Sequence, residues 1–171
     1  MNHLSNQSLV FILFGLMLCT GFAHAGPCQK NIPASNPDVV YKDHGNGTVT
    51  DTRTGLMWKQ CAEGLSGAGC QAGTARTFTW TEALTQAELS TFSGYTDWRM
   101  PNVKELASLV EDCRVSPAIN TILFPNTTSA WFWSGSPSVG IFEAWLVKFG
   151  SGSVDARFRN QRLHARFVRG G

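Results

Sequence analysis

The sequence predicts one domain in which short helices are combined with paired β-strands. The patterns T-x-x-E at 79–82 and N-x-x-E at 102–105 each precede an apolar stripe, which is typical of the start of a helix. Asn46-Gly47 lies between strand-like segments, and both residues tolerate the positive φ of a tight hairpin turn. These three observations predict the elements that follow.

Residues 1–25 are predicted to be a signal peptide. The apolar run Leu9–Leu18 is too short to span a bilayer, and Ala23-His24-Ala25 places small residues where a signal peptidase cleaves. A lipid anchor at Cys19 is a less favoured alternative, because the bulky Leu18 stands where such sites need a small residue. We therefore expect cleavage after Ala25 and export to the periplasm, the cell surface or the medium.

The mature chain is predicted to consist of an arm, 26–38, which holds three prolines, and one domain, 39–171. Charged residues make up 15% of the sequence, below the usual quarter, and glycine is abundant, with 17 residues. No second apolar run is long enough to cross a membrane. Export and a net charge of only +2 argue against a nucleic-acid partner.

The cysteines predict two disulfide bonds. Cys19 leaves with the signal peptide, and the four that remain form an even set in an exported chain, for which three pairings are open. Cys61 and Cys70 flank a Gly-rich loop that could close on itself, which favours Cys61–Cys70 and, by elimination, Cys28–Cys113. Zinc is the alternative, but there is no Cys-x-x-Cys and no His at ligand spacing. No metal or cofactor is expected.

Three side chains near the first hairpin, Asp43, Asn46 and Asp51, allow two interpretations. An EF-hand-like calcium loop would need oxygen-bearing side chains at 45 and 47, where the sequence has glycine, and Glu where it has Thr54. Turn chemistry, in which Asp and Asn side chains bond the nearby backbone, explains these residues better.

Periodicity sets the expected boundaries of the remaining elements. Helices are predicted at 80–91 and 103–112, with Thr79 and Asn102 as their N-caps. Trp58, Trp80 and Trp98 are expected in the core. Asp97 and Arg99 are expected to flank Trp98 as a pair or as backbone-bonding groups.

The carboxy-terminal third is predicted to form strands at 130–134, 144–149, 154–159 and 163–169. In the last two, Phe158 and Phe167 alternate with arginines, which is typical of a half-buried strand and places Arg157 and Arg159 on one face.

An ordered set of short motifs resembles the Lcl C-terminal domain family, which takes its name from the carboxy-terminal domain of a collagen-like adhesin. The resemblance covers roughly Val39 to Gly170. The motifs are GTVTD at 47–51, TGLMW at 54–58, Trp80 with Glu82-Ala83, GYTDWRMPNVKEL at 94–106, Phe124-Pro125, Trp133-Ser134, Ala144-Trp145 and FVRG at 167–170.

The resemblance implies an α+β fold of the C-type-lectin-like kind, with two helices and a twisted antiparallel sheet. It also implies a surface or secreted protein, and binding of sulfated glycans by a trimer beneath a collagen stalk. This chain has no collagen-like tract, and it has Phe167 where many members of the family have Cys. The sequence leaves the oligomeric state open.

Two kinds of chemistry lack their residues in this sequence. A C-type lectin's calcium site needs a Glu-Pro-Asn or Gln-Pro-Asp loop, whereas this chain has Met100-Pro101-Asn102. Catalysis would need a nucleophile beside a base, but His44 and His164 are the only mature histidines, and no nucleophile elbow is present. The cysteines are better explained by disulfides. We therefore expect a protein without enzymatic activity.

Basic residues concentrate at the carboxy-terminal end of the chain. From Glu143 onward only Glu143 and Asp155 oppose six cations, a segment charge of +4 against +2 for the whole chain. Arginine grips sulfate and carboxylate with a planar fork. The candidate site for sulfated or acidic glycans comprises Lys148, Arg157, Arg159, Arg162 and Arg166. The alternative is a solvated strand face whose charges are partly paired and protect a sheet edge.

Two tryptophans extend this candidate site. Trp131 and Trp133 share one side of a predicted strand, so both could stack on sugar rings, with core packing as the alternative. The sequence therefore predicts an exported, non-enzymatic, lectin-like binding module. A structural or assembly protein of the cell envelope that binds other proteins is the alternative function.

Overall fold

The computed structural model describes residues 27–170, so the predicted signal peptide lies outside the described part of the chain. The fold of this part is α+β, with two α-helices and nine short strands. In chain order these are β1 (Tyr41–Asp43), β2 (Thr48–Asp51), β3 (Met57–Lys59), β4 (Leu65–Ser66), β5 (Ala72–Gly73), α1 (Trp80–Glu88), α2 (Val103–Ala107), β6 (Trp131–Pro137), β7 (Glu143–Lys148), β8 (Ser153–Phe158) and β9 (Val168–Arg169).

The strands form antiparallel sheets in which distant segments meet. One sheet has the order β1-β2-β3-β9, so the last strand pairs with the third, with Trp58 opposite Val168. A second sheet has the order β6-β7-β8, and β4 pairs with β5. In the second sheet Trp131 lies opposite Lys148, and Ala144 opposite Arg157. The register of this sheet therefore determines where Lys148 and Arg157 lie.

The hydrophobic core lies on both faces of the β6-β7 pair. Successive residues of a strand point to opposite faces. Phe132 and Val147 accordingly join one buried cluster, with Leu106 of α2, while Trp133 and Leu146 join the other. The second cluster also contains Ala83 and Ala87 of α1 and the buried Trp98. The outer strand, β8, carries the exposed part of this sheet.

Both predicted helix starts are confirmed, and both helices end earlier than predicted. Thr79 with Glu82, and Asn102 with Glu105, form reciprocal capping boxes. α1 ends at Glu88 rather than 91, because the chain turns there into a short 3-10 segment at 92–94. α2 ends at Ala107 rather than 112, because Val110 pairs across to Ile119. In the described part of the chain no helix is long and apolar enough to cross a bilayer.

The three strands of the β6-β7-β8 sheet confirm the prediction to within a few residues, but the last predicted strand is interrupted. Residues 163–169 do not follow one partner strand. Leu163 bridges Phe78, His164 bridges Phe132, and only Val168 and Arg169 form a strand, β9. The segment passes between elements on both sides, which the alternation of Phe and Arg did not indicate.

Turn chemistry explains the side chains of the first hairpin. Asp43, Asn46 and Asp51 each accept, through a side-chain oxygen, a hydrogen bond from the backbone N–H two residues further on. Asp51 is also buried in an ion pair with Arg53, at 2.9 Å. The three side chains are therefore committed to turns and to this ion pair.

Asp97 and Arg99 are ion-paired, but not with each other. Asp97 accepts from Arg169 at 2.6 Å, whose guanidinium lowers the pKa of that carboxyl. Arg99 forms a two-pronged pair with Glu105, with both N–O distances 2.8 Å. Trp98 between them is buried, as predicted. These contacts tie the approach to α2 to the carboxy-terminal end of the chain.

The structure confirms both favoured disulfides, Cys61–Cys70 and Cys28–Cys113. The second bridge anchors the arm beside a buried carboxylate, Glu111. One Glu111 oxygen accepts from the N–H of Ser35 at 2.8 Å, and the other from the N–H of Asn36 at 2.9 Å. Burial acts to raise the pKa of Glu111, but the hydrogen bonds from Ser35, Asn36 and Cys113 outweigh it and lower that pKa.

We expect Glu111→Gln to reduce the free energy of unfolding by about 1–2 kcal/mol near pH 7, because charge-assisted hydrogen bonds become neutral ones. A carboxylate with a lowered folded-state pKa adds stability above its unfolded value, near 4.5, and loses it as the pH falls through the folded value. The difference between variant and wild type should therefore shrink as the pH falls below that unfolded value and through the lower folded one.

Urea unfolding at neutral and acid pH measures this difference. Glu88→Gln, the same chemical change on an exposed residue of α1, is the matched control and should change little at either pH. A Glu111→Gln deficit that stays constant down to acid pH would contradict the role assigned to the carboxylate.

Candidate functional site

The candidate site is built around Trp131, the first residue of β6. Its ring is partly exposed, and two cations lie over it: Lys148 Nζ is 5.5 Å from the ring centroid, and Arg157 Cζ is 5.4 Å away. Lys148 is placed by the strand register, because it lies directly opposite Trp131 on β7. Arg157 comes from β8. Cations at such distances are attracted to the face of the indole.

A second stack of the same kind lies at the end of β8. The guanidinium of Arg159 is 4.3 Å from the ring centroid of Trp80, the first residue of α1. The two residues are also joined through the backbone, since the N–H of Trp80 donates to the carbonyl of Arg159 at 3.0 Å. The indole N–H of Trp80 donates to the carbonyl of Ser134 on β6, at 2.9 Å.

The two stacks belong to one surface. Arg157 lies in β8 and Arg159 is the residue directly after its end; residues two apart along a strand point to the same side at a spacing of roughly 6–7 Å. The N–H of Arg159 still donates to Phe142, at 2.8 Å, which holds Arg159 in line with the strand. We name this surface the Trp–Arg face; it comprises Trp80, Trp131, Lys148, Arg157 and Arg159.

The Trp–Arg face carries positive charge that is only partly compensated. Arg157 forms an ion pair with Asp155 at 3.1 Å, and both side chains are almost half exposed. Among residues 27–170, neither Lys148 nor Arg159 takes part in an ion pair. Within the same residues, the one hydrogen bond of the Arg159 guanidinium runs from Nε to the carbonyl of Glu143. Its terminal nitrogens therefore remain available to an anion.

The structure corrects two members of the predicted site. Trp133 is fully buried, and its indole N–H donates to the carbonyl of Phe78 at 2.9 Å. Arg166 is also fully buried, because the segment that carries it is covered on both sides. Neither residue can contact a ligand at the surface. The stripe of Trp131 and Trp133 predicted as a sugar platform is thus one partly exposed ring, and cations lie over that ring.

Arg162 lies on the surface but is already paired. Its guanidinium donates to Glu82 at 2.8 Å and to the carbonyl of Thr77 at 2.8 Å. It borders a shallow hollow of about 390 Å³ that also receives Arg76. Arg162 therefore supports the first turn of α1 beside Trp80 and contributes less free charge than Arg159.

Trp80 is the residue of the site that sequence reasoning assigned to the core. Its apolar stripe is real, because Ala83 and Ala87 on the same stripe are buried. Trp80 itself, the first residue after the N-cap, is half-buried: it packs against the second buried cluster, as expected, while part of its ring reaches solvent. The position of Trp80 directly after the N-cap is the sequence feature that indicates its partial exposure.

The other titratable clusters in the described part of the chain are structural. The group Cys28, Glu111 and Cys113 has the spacing of metal ligands, but its two sulfurs form a disulfide. In a cleft of about 610 Å³ beside the first hairpin, Lys59 pairs with Glu63 at 2.5 Å. Burial lowers the pKa of His164, and its ring bonds only the carbonyl of Arg76. None of these supplies a nucleophile beside a base.

The described part of the chain is thus a disulfide-stapled α+β domain that carries two tryptophan–cation stacks on one surface. The model of the Lcl C-terminal domain matches residues 47–169, and the chain belongs to that family. The membership suggests an adhesin-like module in a family that is not a known enzyme family, and together with the disulfides it is consistent with export. A comparison with curated proteins found no match.

Proposed function

We propose that this protein is an exported, non-enzymatic module that binds sulfated or acidic glycans through the Trp–Arg face. In this proposal residues 1–25 are removed as a signal peptide, 26–38 form the arm, and 39–171 form a C-type-lectin-like domain. The two helices and antiparallel sheets are compatible with that fold. Family membership supports the adhesin-like role.

The arrangement of Arg159 is the observation that carries the proposal. Its guanidinium is stacked at 4.3 Å on Trp80 and leaves its terminal nitrogens free. A stacked guanidinium has already lost much of its conformational freedom, so less entropy is lost when it binds a sulfate. The tryptophans thus hold the cations in place, while the cations contact the ligand.

Lys148 and Arg157 extend the same chemistry along the sheet. They approach Trp131 within 5.5 Å and add further cations on the side of the sheet that carries Arg159. A line of cations fits a polymer with regularly spaced sulfate or carboxylate groups better than it fits one small anion. Binding by this mechanism depends on salt concentration and does not need calcium.

We expect the double variant Arg157→Ala/Arg159→Ala to bind heparin at least about tenfold more weakly than wild type, because charged hydrogen bonds contribute about 1.5–3 kcal/mol each. Heparin-column retention and its salt dependence measure the effect. Lys42→Ala/Lys104→Ala, which removes two exposed cations elsewhere, is the matched control and should elute like wild type.

Equal retention of the Arg double variant and wild type, with both folded by circular dichroism, would overturn the glycan proposal. The same samples run with a chelator should be unchanged. Loss of retention on chelation would point instead to a calcium site.

A second candidate function, a structural protein of the envelope that binds other proteins, is favoured by an exposed apolar group. Val139, Ile141 and Phe142 on the β6–β7 turn are between 71% and 100% exposed. Exposed apolar groups of this kind mark contact sites for proteins. A glycan array with sulfated polymers separates the two functions, because no binding to any glycan favours the envelope protein.

A further inference from the structure

Among the strands of the described part of the chain, none pairs with the outer edge of β8. β8 is the last strand in the order β6-β7-β8. The N–H of Arg159 donates to Phe142 next to β7, and backbone groups alternate in direction along a strand. The backbone groups of Val154, Ala156 and Phe158 therefore point away from β7. The carbonyl of Phe158 accepts from the N–H of Gln161 at 3.0 Å, but a carbonyl oxygen has a second lone pair and can accept from another strand as well. An edge whose backbone groups are not used in a ladder is a template for another strand.

The sequence of β8 is complementary to itself when it is reversed about Ala156. In an antiparallel pair centred on that residue, Asp155 of one copy lies opposite Arg157 of the other, and Val154 lies opposite Phe158. Opposite charges and apolar pairs directly across two strands are both stabilising. The pairing also brings outward-facing backbone groups opposite each other, as an antiparallel ladder requires.

The neighbouring symmetric registers are less favourable. A pair centred on Phe158 places Arg157 opposite Arg159, which brings like charges together. A pair centred on Val154 places Asp155 opposite Ser153 and uses a shorter part of the strand. A centre at Asp155 places that carboxylate opposite its own copy, and a centre at Arg157 places that guanidinium opposite its own copy, so like charges meet in both. Among these registers, charge selects the one about Ala156.

The same residues protect the edge in the single chain. Asp155 accepts from the N–H of Ala156 at 2.8 Å and pairs with Arg157 at 3.1 Å, so one carboxylate covers the donor at the centre of the strand. Val154 and Phe158 remain 47% and 57% exposed. In the paired arrangement the carboxylate moves to Arg157 of the second copy, and the two apolar side chains cover each other.

We propose that β8 pairs antiparallel with β8 of a second copy, which gives a two-fold symmetric dimer with a continuous six-stranded sheet. The contact is isologous, so it closes at two copies. Since odd-numbered residues of both β8 strands lie on one side, the two Trp–Arg faces share a side of the joined sheet. A glycan polymer bound to one face is held close to the other, so the second contact forms at a high effective concentration and the polymer binds the dimer more tightly.

Sedimentation equilibrium on the mature, disulfide-bonded protein tests the dimer, and charge reversal tests the register. Wild type is expected to dimerise. Asp155→Arg alone and Arg157→Asp alone are expected to be monomeric, because each places like charges opposite each other. An equimolar mixture of the two variants should form a heterodimer, and the double variant Asp155→Arg/Arg157→Asp should regain the homodimer.

A wild type that stays monomeric at every concentration measured overturns the proposal. Single variants that remain dimeric overturn it as well, since the contact would then lie elsewhere. If a single variant fails to fold, as judged by circular dichroism, the double variant decides: a folded but monomeric double variant is a negative result. The readout is mass, so the outcome does not depend on glycan binding.

Discussion

Replacing Arg166 with alanine is expected to lower the free energy of unfolding by about 3–5 kcal/mol, because a buried cation whose two terminal nitrogens are hydrogen-bonded is lost together with its volume. The guanidinium donates to the carbonyls of Lys59, at 2.8 Å, and Gln60, and to the hydroxyl of Thr127, at 2.7 Å. It also lies 5.0 Å from the ring centroid of Phe124. Burial lowers the pKa of Arg166 to about 9, with Glu63 acting in the opposite direction, so the group stays charged at neutral pH.

The alanine variant leaves these acceptors buried without a donor, and each unpaired buried group costs roughly 1–3 kcal/mol. Urea unfolding of Arg166→Ala beside Arg162→Ala, an exposed arginine four positions earlier, measures the effect of burial. Arg166→Met separates the two causes, since it restores volume without donors. A methionine variant as stable as wild type would show that the hydrogen bonds contribute little and that packing alone matters.

Removing the Cys28–Cys113 bridge with serines is expected to destabilise the protein by about 4.6 kcal/mol in the chain-entropy model, since the bridge joins residues 85 apart in sequence. The Cys61–Cys70 bridge joins residues nine apart, and its removal should cost only about 2.7 kcal/mol. The arm would also lose the anchor that places Ser35 and Asn36 against Glu111.

Guanidinium unfolding of Cys28→Ser/Cys113→Ser and of Cys61→Ser/Cys70→Ser compares the two losses directly, and each double variant is the control for the other. A larger loss from the short bridge would contradict the order expected from loop length. It would show that the Gly-rich loop at 61–70 has a role in packing beyond loop closure.

Local features of this chain could be predicted from sequence, and non-local ones could not. The capping boxes at 79–82 and 102–105 depend on residues three apart, and both are present. The alternation that places Arg157 and Arg159 on one side also holds, because β8 has one neighbour and an open edge.

The same alternation fails for Arg166. That residue and Phe167 are both fully buried, since segment 163–169 contacts Phe78 and β6 at its start and β3 and Arg99 at its end. A segment covered on both faces has no exposed side for its polar residues, and this coverage comes from parts of the chain far away in sequence. The candidate site in the structure therefore contains the predicted strand cations Arg157 and Arg159 and, in addition, Trp80. Arg166, the most carboxy-terminal residue of the predicted site, lies in the core.

The bridge between Cys28 and Cys113 also determines how the domain carries mechanical load. Tension that enters along the arm passes through the covalent bond at Cys28 straight to Cys113. Residues 29–112, which include β1, β2, β3 and both helices, form a closed loop beside this path and are not stretched. The load then continues toward β6, the strand that begins with Trp131. Tension on the arm therefore leaves the segment between the two cysteines folded, and with the proposed glycan binding the module would hold a polymer under load.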